Sequence, residues 1–168
     1  MARRTRTYVC FDADNDMAYY RTMQMWKAND NIDFDFNNAH DLNQIMPWSN
    51  EETIKRDLRE RMKNSKILVV LIGDKTRFQN TYVRWEIDLA LEAGIPVICV
   101  NLDGGRDYNE ELCPKILRDQ LAIHINFGAA IMQIALDTWP DMHKDLIAKG
   151  KTGPKQYSSE VYFNIDHK

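Results

Sequence analysis

The sequence has little of what metal, redox or membrane chemistry would require. It carries three cysteines, Cys10, Cys99 and Cys113, with no Cys-x-x-Cys pair, and its four histidines (His40, His124, His143, His167) are scattered. That pattern supports neither a zinc centre nor a disulfide framework. Cys10 and Cys99 fall inside apolar runs, where buried thiols are expected, and a reducing compartment fits. No stretch approaches the ~20 apolar residues that span a bilayer, and none of about 7–15 follows Met1, so the expected location is the cytoplasm. Neither G-x-G-x-x-G nor a Walker lysine motif is present, and the loop FDADND after the first apolar run is acidic, which repels phosphate. These absences argue against redox use of NAD and against flavodoxin-type flavin binding. The formal net charge is -3, and the basic cluster Arg3, Arg4, Arg6 stands alone before an acidic stretch from Asp12 to Asp41, so no nucleic-acid face is expected.

What the chain does have is a regular alternation. At 168 residues with 44% hydrophobic and 28% charged side chains, it suits one domain burying ~70% of its unfolded surface. Apolar runs at Tyr8 to Phe11, Ile32 to Phe36, Ile67 to Ile72, Pro96 to Leu102 and Leu121 to Ile125 alternate with amphipathic segments, the pattern of βαβ units on a parallel sheet. The third and fourth runs lack polar alternation and predict central strands covered on both faces; the second alternates with aspartates and predicts an edge. Helices are expected from the Asp14–Asp16 cluster to about Ala28, from Ser49 with a Ser49/Glu52 capping box, from Tyr82 to Ala93, from Glu111 to about Arg118, and from Gly128 to Trp139, where Pro140 should end or kink the last. The fold class is therefore α/β, a flavodoxin-like three-layer sandwich with a five-stranded parallel sheet in the order 2-1-3-4-5. Residues 1–150 form this domain, and 151–168, with Tyr157, Val161, Tyr162, Phe163 and Ile165, read as an extended C-terminal arm.

In such a sheet ligands bind beyond the C-terminal strand ends, where strand order reverses. Here that point lies between the first and third strands, so the loops at 11–15 and 73–81 converge, flanked by 37–41. They offer Asp12, Asp14, Asn37, Asn38, Asp74 and Thr76 beside Phe11 and Phe36, a lining suited to hydroxyl recognition. Glu86 stands three residues after Val83 and four before Ala90, on the edge of the third helix's apolar stripe, whereas Asp88 and Glu92 fall on the opposite face. A carboxylate there either pairs with Arg84 or favours the helix start, or it is a desolvated acid, base or charge stabiliser.

The segment SKILVVLIGDKTRFQNTYVRWEIDLALEAGIPVICVNLDG resembles the heart of the TIR-like family that includes the bacterial Thoeris anti-phage proteins. Leu71, Ile72, Gly73, Thr76, Val83, Glu86 and Ile87 carry the match, and VCFDADNDMAYYRTMQMW, with Asp16 and Trp26, resembles the family's opening; the similarity covers residues 5 to about 126. The resemblance implies cleavage of the N-glycosidic bond of NAD, with NAD as substrate and no cofactor or metal. Glu86 takes the catalytic position, and an ADP-ribose-derived, cyclic nucleotide product activates a separate effector protein. It also implies homo-oligomerisation on activation. Where the family often has tryptophan before the helix's Val, Tyr82 stands here, so the base-stacking partner falls to Trp85 or Phe11. Three alternatives remain open: a nucleoside deoxyribosyltransferase-like N-glycosidase, a non-catalytic TIR-like adaptor, and a receiver domain using Asp12, Asp14 and Asp74. The last lacks its lysine after strand five, where the sequence is IHINFGA.

Overall fold

A computed structural model describes residues 6–28, 35–37, 50–79 and 81–167. Strand β1 (Arg6–Cys10) is followed by α1 (Met17–Ala28), β2 (Asp35–Asn37), α2 (Glu51–Lys63), β3 (Ile67–Ile72), a 3-10 turn (Thr76–Phe78) and α3 (Tyr82–Glu92). Then come β4 (Val97–Asn101), a second 3-10 turn (Lys115–Leu117), β5 (Ala122–Asn126), α4 (Ala129–Ala148), β6 (Pro154–Gln156) and α5 (Ser159–Asp166). The strands form one sheet in the order β2-β1-β3-β4-β5-β6, every pair parallel. The expected α/β class, the 2-1-3-4-5 order and the edge position of the second strand hold; among the described residues the sheet has six strands rather than five.

Side-chain alternation on β3 explains the three layers. All six of its residues are buried. Ile67, Val69 and Leu71 join α1, α4 and α5 on one face, and Leu68, Val70 and Ile72 join α2 and α3 on the other. Each such side chain contributes ~1.5–3 kcal/mol on burial. The second face holds the three cysteines, all free and buried. No helix among the described residues is long and apolar enough to cross a membrane.

Four local expectations need correction. Helix α4 runs through Pro140, because Trp139 and His143 are buried on either side of it and Leu146 packs on the core beyond; that packing offsets a cost of ~3 kcal/mol. The region 111–118 supplies only a 3-10 turn after Pro114. Asn50 caps α2, its Oδ1 accepting from the Thr53 amide at 2.8 Å; Ser49 lies outside the described residues. The C-terminal arm is a short strand and a two-turn helix. Val161, Tyr162 and Ile165 lie on one helical face and pack into the α1/α4 layer, and Arg106 holds the helix through the Tyr162 ring at 4.4 Å and Asp166 at 3.0 Å.

Candidate functional site

The sheet reverses direction of growth at β1, which pairs with β2 on one side and β3 on the other. The loops after β1 and β3 therefore meet. Asp12, 3% exposed, organises the junction: its carboxylate accepts from the Asp14 amide at 3.1 Å, from Asn15 Nδ2 at 2.6 Å and from Gln79 Nε2 at 3.1 Å. The Thr76 hydroxyl accepts from the Gly73 amide at 2.9 Å and donates to the Leu71 carbonyl at 3.4 Å. Thr76 thus shapes the loop after β3 from inside it.

Gly73 is required by its neighbour. A β-carbon there would fall 2.6 Å from Asp16 Oδ2 and 2.7 Å from Oδ1, so the Asp16 carboxylate lies directly over the glycine. Burial, with Asp12 and Asp74 nearby, raises the pKa of Asp16. No group of acids, cysteines and histidines among the described residues is arranged to hold a metal.

Glu86 lies in the second turn of α3 and is 3% exposed. Loss of hydration pushes its carboxyl up to about 8, opposed by the Cys10 thiol, the Tyr8 hydroxyl and the Arg61 charge. The Cys10 thiol donates to the Val83 carbonyl at 3.8 Å, one turn before Glu86 on the same helix. Tyr8 Oη makes no aligned hydrogen bond, and it acts on Glu86 as a neighbouring dipole. The acid in turn pushes both the phenol and the thiol upward, after their own burial. Arg84 is exposed and forms no ion pair with it among the described residues, whereas Asp88 and Glu92 are exposed as the helical count requires.

The remaining residues are dispersed. Asp14 is exposed at the mouth of the first loop, and Asn37 closes β2 in register with Tyr8; Asn38 and Asp41 lie outside the described residues. Phe11 stacks on Tyr20 at 4.7 Å within the α1 layer. Trp85 packs between α2 and α3 beside Ile54, Leu58 and Leu89, with Lys55 Nζ 5.1 Å from its ring centroid. The structure thus brings Asp12, Asp16, Gly73, Thr76 and Gln79 together, and sets Glu86 beneath β1, apart from Trp85. Sequence reasoning missed Tyr8, Cys10, Arg61 and Gln79. Tyr8 and Cys10 share a strand face at i, i+2, and polar tips on a buried strand were the available signal.

The match to known proteins follows this geometry. The family model described as Thoeris protein ThsB, TIR-like domain, matches residues 8–107, from β1 to just beyond β4. The chain belongs to this family. The matched span includes Asp12, Asp16, Gly73, Thr76 and Glu86, and it stops before β5, α4 and the C-terminal strand and helix. The ThsB family places the chain among Thoeris defence-related TIR-like proteins. No curated protein matches it. A conserved protein from Enterococcus faecalis V583, known from its crystal structure, is similar at 19% identity and a TM-score of 0.49 over 96% of each chain. That likeness carries no weight for function.

Proposed function

We propose that this ThsB-family chain cleaves NAD at its N-glycosidic bond, with Glu86 as the group that meets the developing positive charge. The observation that carries the reading is a carboxylate enclosed in the second turn of α3, beside Tyr8 and Cys10 of β1, the strand at which the sheet reverses. In the reaction the C1′–N bond breaks and its electron pair goes to the pyridinium nitrogen, so nicotinamide leaves neutral and the ribose becomes oxocarbenium-like. A carboxylate beside that ribose stabilises the cation and holds the hydroxyls. Water adding at C1′ and losing a proton yields ADP-ribose. A nucleophilic atom of the same molecule adding in its place yields a cyclic nucleotide, so exclusion of water decides the product. A diffusible product of this kind would carry the signal to a separate effector.

Chromatography after incubation of concentrated protein with NAD, with and without lysate from phage-infected cells, should show nicotinamide release. A protein-free filtrate should activate the effector. Absence of nicotinamide in every arm, with productive turnover of other nucleosides, would move the chain to the deoxyribosyltransferase-like reading. The 3% exposure of Glu86 favours one rival, a self-associating adaptor without turnover. Effector activation that needs both proteins physically present, and never the filtrate, would establish that rival.

A further inference from the structure

Helix α3 also borders a cleft. Val83, Arg84 and Ile87 line this cleft of about 340 Å3, whose opposite wall is the 114–116 segment, and Glu86 is not among the residues that line it. A groove of about 700 Å3 shares Arg77, Arg84 and Lys115 with this cleft and adds Phe78, Arg118 and the acid Glu111. Four cations against one carboxylate thus line this groove, an excess of positive charge in a chain whose formal net charge is -3.

None of these four is in an ion pair among the described residues. Two are fixed by neutral acceptors instead. Arg77 donates to the Glu111 carbonyl at 2.8 Å and lies 4.7 Å from the Phe78 ring centroid, and Arg118 Nε donates to the Cys113 carbonyl at 3.3 Å. A carbonyl orders a guanidinium without cancelling its charge, so the forks are held in place while their demand for an anion persists. Preorganisation of this kind removes part of the ordering cost of binding. Phe78, 63% exposed, places an aromatic ring at the same wall.

The geometry points to a second binding site here, one that takes a diphosphate-bearing nucleotide. The cations would grip the diphosphate and Phe78 would lie against the base. The cavity has the size of a small-molecule site. Gln79, which donates to Asp12, also lines the cleft, so the cleft borders the first site; Glu86 does not line it, so occupancy of this cleft does not depend on Glu86, and the site stands whether or not the chain cleaves NAD.

Titration calorimetry with ADP at low salt tests it, with adenosine and inorganic pyrophosphate as partial probes. The full-length chain should bind ADP saturably, pyrophosphate more weakly and adenosine not at all. The exposed pair Arg84→Ala/Lys115→Ala should weaken ADP by roughly tenfold or more, the expected loss for charge-assisted hydrogen bonds, with its thermal midpoint unchanged. Glu86→Gln should bind ADP as the parent does. Absence of saturable ADP binding would overturn the site, as would equal binding of adenosine or full affinity in the double variant. Loss of ADP binding in Glu86→Gln would put the diphosphate in the glutamate's own pocket and equally overturn it.

Discussion

Glu86→Gln should make the protein less active and, at alkaline pH, more stable. The carboxyl's folded pKa is about 8 against an ordinary 4.5, with burial as the main cause. At ~1.4 kcal/mol per pKa unit, that difference is on the order of 5 kcal/mol of linked stability. The sign follows from proton counts. Between these two pKa values the folded protein holds a proton that the unfolded chain has released, so stability is full below the lower value, declines as pH rises through the window and levels off above about 8. Glutamine resembles the neutral acid and does not titrate. The variant should therefore match the parent near pH 4.5 and exceed it at pH 9 by on the order of 10–20 °C in thermal midpoint, given ~2–4 °C per kcal/mol for a chain of this size. Turnover should move the other way. Loss of a preorganised charge costs ~10²- to 10³-fold in rate, and nicotinamide release by the parent should rise in kcat/KM towards a plateau above about 8 as Glu86 ionises. Asp88→Asn, an exposed acid on the far face of the same helix, should change neither quantity. Near-normal turnover in Glu86→Gln, or midpoint curves for parent and variant that run parallel with pH, would remove both the buried charge and its role.

Gly73→Ala should lower stability by ~1–3 kcal/mol, since its β-carbon would meet the Asp16 carboxylate at 2.6 Å; Asp16→Ala in the same chain should restore most of the loss, as urea midpoints would show. His124 is fully buried, both ring nitrogens lack partners, and burial lowers its pKa to about 4 from 6.5. Its contribution is thus present above 6.5 and lost as pH falls towards 4, and His124→Leu should flatten the acid limb of the denaturation profile by on the order of 3 kcal/mol; an unchanged limb would refute the assignment.

The sheet was legible because strands buried on both faces leave an unmistakable record: β3 reads ILVVLI and β4 reads VICVN. The edge position of β2 followed from its aspartates. The errors arose where tertiary packing outweighed local chemistry. Pro140 breaks helices in isolation, but Trp139 and His143 hold α4 together across it. Val161, Tyr162, Phe163 and Ile165 favour strand by type, yet Val161 and Ile165 are four apart, and that spacing serves a helix whose one face is covered. The candidate site divides similarly. Glu86 stood out as a carboxylate on an apolar stripe, whereas Tyr8 and Cys10, although their i, i+2 spacing puts their polar tips on one strand face, could not be assigned to the acid because the sequence does not say which helix covers that face. Trp85 precedes Glu86 in sequence but points, by the 100° step of the helix, into the α2/α3 seam.

Burial of Glu86 and the catalytic role proposed for it make opposite demands, and linkage connects them. A carboxyl with a pKa of about 8 is ionised to only ~10% at pH 7, and at 3% exposure it has no room for a ribose beside it. Any rearrangement that admits substrate also admits water, and hydration lowers the pKa because desolvation is the principal cause of its rise. Opening the site therefore supplies access and negative charge in one step. The same free energy that burial takes from the ionised acid is returned on opening, so the open form gains relative to the closed one as pH rises from the ordinary carboxyl range towards about 8. On the NAD-cleaving reading proposed above, the structure described is the covered form, in which burial favours the neutral acid, and whatever held an opened form would switch on the electrostatics along with the entrance.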